Sequence, residues 1–337
     1  MSEIKKYSNK GLSGLVNFGN TCYVNSALQI LNHIYEFNEY IGNYNEKYNL
    51  DDMKFIKEWI DLQQLMLRVN VVIAPKRFLA VLKILMTQKS NELGNIFFQN
   101  DTTEFIYFIL ANMHEELKEC QDNLFEKSLQ QMKTKYHKYF IEYYEKEHTN
   151  DFSIIDELFG YYTMIQYVDQ ETGEIYSTRY ERFYIFDLAL TSTDLNECLK
   201  NHFKTEIMSE ENNNAYYSDK YKEHKDVEKN SFLYHCPQYV IIQLKRWNMN
   251  MKKNQRIIHF DISELNFEEF SCNKEQPTKY ELFGIINHSG SMQGGHYISY
   301  VKNQNDKWYV YNDTSVEEIK PEKIIGNKNY CLVYRRK

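Results

Sequence analysis

An α+β fold, with helices in the first half of the chain and an antiparallel sheet in the second, is what this 337-residue sequence predicts. Two observations carry it. Up to about residue 155, apolar side chains recur at three- and four-residue spacing, the period of a helix face. From Gly160 onward, β-branched and aromatic runs with short turns between them take over, the texture of strands. Helices first and strands afterwards segregate the two kinds of element.

Residues 14–31, GLVNFGNTCYVNSALQIL, begin as a turn punctuated by glycine and asparagine and continue as a helix. Val24, Leu28 and Leu31 line one face of it, with Ala27 and Ile34 beside them, and Thr21 is placed to cap its start. Cys22 then falls in the first turn, where unpaired N–H groups and the helix dipole favour a thiolate. Phe55, Trp59, Leu62 and Met66 predict a second helix. Pro75 opens a third, with Phe78, Leu82, Leu85 and Met86 on its apolar side. Asp101 and Glu104 have capping-box spacing and start a fourth, bearing Phe108, Ile109 and Met113. From Phe125 through Leu129, Met132, Tyr136, Phe140 and Tyr143 the pattern predicts one long amphipathic helix. Strands are expected over 161–167 and 175–188 across a QETG turn, then a short helix over 193–203. Residues 212–230 are polar and predict a loop or ragged hairpin. Strands resume at 238–244, 257–260, 281–287, 296–302, 308–311 and 330–334.

Composition narrows the function classes. A hydrophobic content of 42% with four prolines suits a folded chain without disordered linkers. The formal charge of −7 argues against a nucleic-acid partner, because no basic face is evident, and suits a basic protein or peptide. The opening MSEIKKYSNK lacks the apolar core of a signal peptide, and the longest apolar runs are far too short to span a bilayer. Cys22, Cys120, Cys198, Cys236, Cys272 and Cys331 are scattered, with no C-x-x-C pair. That usage predicts an intracellular protein, in cytoplasm or nucleus, without disulfides or a metal centre.

A cysteine nucleophile needs a base, a group to orient the base, and donors for the oxyanion. The second half concentrates candidates in FGIINHSGSMQGGHYISYV and WYVYNDTSV. His296 follows the pair Gly294-Gly295 and opens a strand, after a loop over 289–295 that is free to move. If Asn312 closes the next strand, a hairpin brings the two together. The Asn312 amide oxygen then accepts from the imidazole and fixes its tautomer.

These stretches resemble the signature blocks of the ubiquitin-specific proteases. GLVNFGNTCYVNSALQIL is similar to their cysteine box, and the two C-terminal stretches to their histidine box. QNDTTEF, CPQYVIIQLKRW and the strand Tyr330 to Tyr334 match further blocks, in family order from about Gly11 to Tyr334. The resemblance implies a papain-like cysteine protease core shaped as a helical thumb, an antiparallel β palm and β fingers. It implies a short extension over 1–10 and a single catalytic domain over 11–337. Within that domain the thumb covers about 11–155, the fingers lie within about 160–240, and the palm takes the remaining strands to 335.

Carried onto this chain, the resemblance makes Cys22 the nucleophile, His296 the base and Asn312 the third triad member, with Asp313 an acidic candidate beside it. Asn17 and the Cys22 backbone N–H would form the oxyanion hole. Asp101 and Glu104 would bind the basic tail of ubiquitin, with Gln99 and Tyr297 also on the substrate side. His288, Gly294 and Gly295 would line a channel that admits only glycines. The chain departs from the pattern where many members carry two C-x-x-C pairs for zinc. Between 161 and 236 it has only Cys198 and Cys236, and His202, His224 and His235 do not restore ligand spacing. No cofactor is therefore expected. Asn100 stands where glutamine is common, Trp247 replaces the usual phenylalanine, and 123–148 reads as a family-variable elaboration. Ubiquitin and ubiquitinated proteins are the implied partners of a monomer that binds neither nucleic acid nor membrane. Two alternatives stay open: a catalytically silent ubiquitin-binding scaffold, and the same chemistry on a ubiquitin-like modifier.

Overall fold

The computed structural model describes residues 4–47, 53–68, 70–89, 93, 95–118, 124–291 and 294–337. Its first half is helical: α1 (Cys22–Asn32), α2 (Tyr35–Lys47), α3 (Lys54–Arg68), α4 (Lys76–Lys89), α5 (Thr102–Leu117), α6 (Leu124–Lys135), α7 (Lys138–His148) and α8 (Ile154–Phe159). One small parallel pair, β1 (Gly14–Leu15) with β2 (Val72–Ile73), ties the segment before α1 to the loop before α4. Then follow β3 (Tyr161–Asp169), β4 (Ile175–Phe183), β5 (Ile185–Ala189), α9 (Leu195–His202), β6 (Glu206–Met208), β7 (Tyr216–Ser218), β8 (Glu223–Lys225) and β9 (Val227–His235). The chain closes with β10 (Tyr239–Lys245), β11 (Leu265–Asn266), β12 (Lys279–Ser291), β13 (Gly294–Lys302), β14 (Trp308–Asn312), β15 (Ser315–Ile319) and β16 (Asn329–Arg336). Among the described residues, no helix is long and apolar enough to cross a membrane.

Two main sheets result. The larger runs β15-β14-β13-β12-β16-β10-β5, with β11 on β12; the smaller runs β4-β3-β9-β6. Helix α1 lies between the larger sheet and the other helices, so every one of its residues is buried. Its apolar side chains, including Val24, Leu28 and Leu31, share one core with Phe105 and Ile109 of α5 and with Ile286, Val301 and Tyr311 of the sheet. Fully burying a side chain of that size contributes roughly 1.5–3 kcal/mol. That is why this stretch is fixed in place.

Several elements differ from the expectation. The long helix over 125–143 is two, broken between Lys135 and Lys138. His137 turns extended there, its backbone N–H donates to Tyr234 Oη at 3.2 Å, and Tyr136 Oη lies 2.5 Å from His235 Nδ1. Docking on the end of β9 thus overrides the helical period. Residues 175–188 are two strands rather than one, because the chain changes sheet at Tyr184, whose hydroxyl bonds to buried Asp156. β4 pairs antiparallel with β3, whereas β5 pairs parallel with β10, an exception in an otherwise antiparallel sheet. Residues 257–260 form no strand. They make a single bridge, between Asp194 and His259, because their backbone groups pair across the start of α9. The polar stretch over 212–230 is the β7–β8 hairpin followed by the start of β9. The expected loop over 289–295 is mostly ladder, pairing Ser289 with His296, Gly290 with Gly295 and Ser291 with Gly294. Its Met292 and Gln293, and the thiol of Cys120, lie outside the described residues.

Candidate active site

The two ends of the chain meet at the start of α1. Thr21 precedes Cys22 but does not cap the helix with its side chain. Its hydroxyl instead accepts from the Phe18 N–H at 2.9 Å, while Asn17 Oδ1 accepts from the Thr21 N–H at 3.1 Å. These bonds curl the Gly-Asn turn into a fixed shape through the Asn17 oxygen and leave its amide nitrogen for another partner. It donates to Asp313 Oδ2 at 2.9 Å.

Across the seam, His296 lies in β13 and Asn312 closes β14, neighbouring strands whose register sets Ser299 opposite Tyr311. His296 Nε2 is 2.7 Å from Asn312 Oδ1, and 4.0 Å from Asp313 Oδ2. Asp313 sits in the tight turn after β14 at φ +50°, a left-handed conformation that aspartate tolerates. The turn is pinned by its own carbonyl, which accepts from the Leu15 N–H at 2.7 Å. Gly14 permits this: a Cβ there would lie 2.3 Å from the Thr314 carbonyl oxygen. At Gly14 the close approach is to the protein's own turn.

Cys22 is 2% exposed. Burial pushes its thiol upward and Asp313 adds to the rise, while backbone N–H groups of Tyr297, Tyr23 and Cys22 pull it back only in part. At this helix start burial outweighs the lowering that the helix dipole was expected to give.

The structure reveals a residue that the sequence reading missed. Asn25, one helical turn beyond Cys22, donates to Asp313 Oδ1 at 2.8 Å, so two asparagines hold one carboxylate from both oxygens. Gln29 continues the stripe by donating to the Ser13 carbonyl at 2.7 Å, and His33 Nε2 lies 3.0 Å from Tyr311 Oη. Polar residues spaced by four on an otherwise apolar, buried helix were the available signal.

The predicted substrate side is more internal than expected. Asp101 caps α5 by accepting from the Thr103 and Glu104 N–H groups, and its other oxygen accepts from Tyr330 Oη. Glu104 is exposed at the mouth of a cleft of about 880 Å³ that Tyr107, Glu115, Tyr184 and Asp187 also line. Gln99 donates to Asn20 Oδ1 at 2.9 Å, and Asn100 to Tyr23 Oη at 3.0 Å, so both brace the loop opposite the Gly-Asn turn. His288 and Tyr297 are buried neighbours, ring centroids 4.5 Å apart. A Cβ on Gly295 would strike His288 Nε2 at 2.3 Å, whereas one on Gly294 would meet nothing within 4 Å. Among the described residues, one group of possible metal ligands lies close together: His114, Glu115 and Asp151. The Lys118 ammonium already pairs with both carboxylates, 2.9 Å from Glu115 and 2.8 Å from Asp151.

A thiol at a helix start, set against a histidine and an asparagine on adjacent strands, is the arrangement of a papain-like thiol hydrolase. The chain belongs to the ubiquitin carboxyl-terminal hydrolase family, whose model matches residues 13–334. It is 27% identical to ubiquitin carboxyl-terminal hydrolase Usp2 of Drosophila melanogaster, over 99% of this chain and 36% of that protein. It is 30% identical to ubiquitin carboxyl-terminal hydrolase 4 of Pongo abelii, over 51% of this chain and 18% of the relative. It thus spans about a third or less of the length of these relatives. Among solved structures, it superposes with a TM-score of 0.75 on a chain of a SAGA DUB module of Ubp8, Sgf11, Sus1 and Sgf73 bound to monoubiquitin. That match has 22% identity and covers 97% of this chain and 70% of the other.

Proposed function

We propose that this protein is a thiol-dependent deubiquitinase that hydrolyses the peptide or isopeptide bond after the C-terminal glycine of ubiquitin. The observation that carries the reading is the convergence of Cys22 and Asn17, from one end of the chain, with the bonded pair His296–Asn312 from the other. Burial holds the Cys22 thiol up, so its proton passes to His296 as the sulfur attacks the carbonyl. Asn312 accepts from His296 Nε2, leaving Nδ1 as the base. The Cys22 backbone N–H and the Asn17 amide serve the oxyanion, with Asp313 keeping that amide aimed. His296 then protonates the leaving amine, and water activated by the same ring releases the acyl-enzyme.

The substrate assignment rests on charge and shape. Glu104, Glu115 and Asp187 along the cleft suit a basic tail, while Lys89 and Arg182 at its edge set limits on how that tail lies. His288, Gly294, Gly295 and Tyr297 form a wall that suits a diglycine end, and Asp101 and Gln99 brace the thumb side. We further propose one catalytic unit over 11–337, acting as a monomer in a reducing intracellular compartment. Its fingers would be held without zinc, by the stacked Tyr167 and Tyr216 and by Lys220 on Glu174.

The test is reaction with a ubiquitin C-terminal electrophile. One covalent adduct is expected on the parent and none on Cys22→Ala, and a parent that stays unlabelled while folded defeats the proposal. A parallel panel of ubiquitin-like probes decides between modifiers.

A further inference from the structure

The turn after β10 carries a lysine that no step above uses. Trp247 and Lys253 bridge each other, and between them Asn248 accepts from the Asn250 and Lys252 N–H groups, closing a tight loop. Met249 and Met251 at its tip are fully and largely exposed, so of this loop Trp247 at the base packs on the core and the tip does not. Arg246 Nη1 closes the base of the loop by donating to the Asn254 carbonyl at 2.9 Å, and Lys253 ties the loop to β12. Its ammonium donates to His288 Nδ1 at 2.8 Å and to the His288 carbonyl at 2.6 Å, and it lies 5.6 Å from the Trp247 ring centre. His288 stands opposite Tyr297 in the β12–β13 ladder, one step from the Ser289–His296 pair.

We propose, on the footing of the hydrolase reading above, that Lys253 is a positioning residue for the reaction: it ties this loop to β12 and fixes the His288 ring against Gly295, setting the channel wall beside His296. A donor on Nδ1 places the ring proton on Nε2, the nitrogen that faces Gly295. That side of the ring is then a fixed N–H rather than a lone pair. The surrounding charges agree with a neutral, clamped ring. Burial and the Lys253 cation push His288 down to about 4, against a smaller upward pull from Asp101. Burial, with Arg246 and Lys328, pushes Lys253 itself down to about 8. An ammonium among cations stays there because the imidazole and carbonyl accept from it.

The experiment uses the full chain with Lys253→Met, which keeps length but has no donor, and Lys253→Arg, which keeps donors. Side-chain nitrogen shifts of His288 are read alongside steady-state hydrolysis of a fluorogenic ubiquitin substrate. In the parent, His288 is expected with its proton on Nε2. Lys253→Met is expected to lose that single tautomer and to drop kcat about tenfold with KM within about twofold, since small misplacements weaken the chemical step more than binding. Lys253→Arg should recover most of kcat. Parental kcat in Lys253→Met, or a fall in kcat with the tautomer unchanged, overturns the proposal. So does a parent His288 protonated on Nδ1, which is decisive even if the Met variant does not fold. A parent that shows the tautomer but hydrolyses nothing fails the hydrolase reading instead.

Discussion

Two helix-to-sheet seams in this protein are built from opposite materials. Where α1 meets the β14 turn and the N-terminal segment, the contacts are hydrogen bonds: Asn25 to Asp313 at 2.8 Å, Gln29 to the Ser13 carbonyl at 2.7 Å, and Tyr311 to the Gly11 carbonyl at 3.2 Å. Where α7 meets β3, β4 and β9, rings make most of the contact, with the His137 N–H donating to Tyr234 Oη at the helix start. Phe140, wholly buried, lies 4.6 Å from Tyr234, 5.2 Å from Tyr180 and 5.4 Å from Tyr162 between centroids. Rings tolerate sliding and contribute by area, whereas hydrogen bonds fix angles. The polar seam carries a cost, since Asn25 Oδ1 and Gln29 Oε1 are buried without a partner. It is the seam that holds the candidate chemistry. Direction is kept where it matters, and area elsewhere.

The largest test of this contrast is Phe140→Ala, which should destabilise the fold by about 3–5 kcal/mol. In denaturant unfolding the midpoint should fall while Cys22 reactivity per folded molecule is unchanged; altered reactivity would show that the seams are not separable. Next comes Asp313→Ala. Removing the acceptor shared by Asn17 and Asn25 should lower turnover by about 10²–10³, the range for one lost oxyanion donor, in a chain that stays folded by circular dichroism.

Acid probes both seams together. His33 in the polar seam and His148 in the aromatic one are each pushed down to about 4 by burial. Their folded values lie below the usual 6.5, so the unfolded chain takes up protons first, and stability is full above pH 6.5 and lost as pH falls towards 4. About 2 kcal/mol from each is expected to be gone by pH 5. His114 works in the opposite sense, since Asp151 and Asp156 raise it; its contribution is complete below 6.5 and fades above its folded value. Urea midpoints that stay level between pH 7 and 5 would contradict the assignment. The smallest expected effect is at the fingertip. Tyr216→Ala should cost about 1 kcal/mol by removing the stack on Tyr167, visible as faster amide exchange in β7 and β8. Unchanged exchange would mean that the stack carries no load.

How much of this was legible in sequence follows from how local each signal is. Cys22 at a helix start, and His296 and Asn312 on neighbouring strands, lie in short stretches whose own periodicity places them. The parallel pairing of β5 with β10 joins Ile185 to Ile241, and nothing near either residue encodes it. The break between α6 and α7 was hidden because the apolar period runs on through Tyr136 and Phe140; the bond from His137 to Tyr234 imposes it from 97 residues away. Helix α8 was missed although its capping box, Ser153 with Asp156, stands in the sequence, because a six-residue helix gives too little periodicity. Nothing in its own stretch singles out Asn25 as a partner of Asp313. Only the position of Asp313 shows what it holds.

The contact of Gly14 with Thr314 has a consequence for synthesis. Asn25, Gln29 and His33 run along α1 to its C-terminal cap, and their polar partners include Tyr311 and Asp313, 278 and 288 residues further on from His33 and Asn25. Until the ribosome has released Tyr311 and Asp313, the helix lacks those partners, and Cys22 has neither His296 nor the oriented Asn17 amide beside it. The nascent protein is therefore expected to be silent towards its substrate until residue 314 has emerged, then to gain activity in one step. Labelling arrested chains released at successive lengths, before and after residue 314, would show whether reactivity arrives abruptly or by degrees.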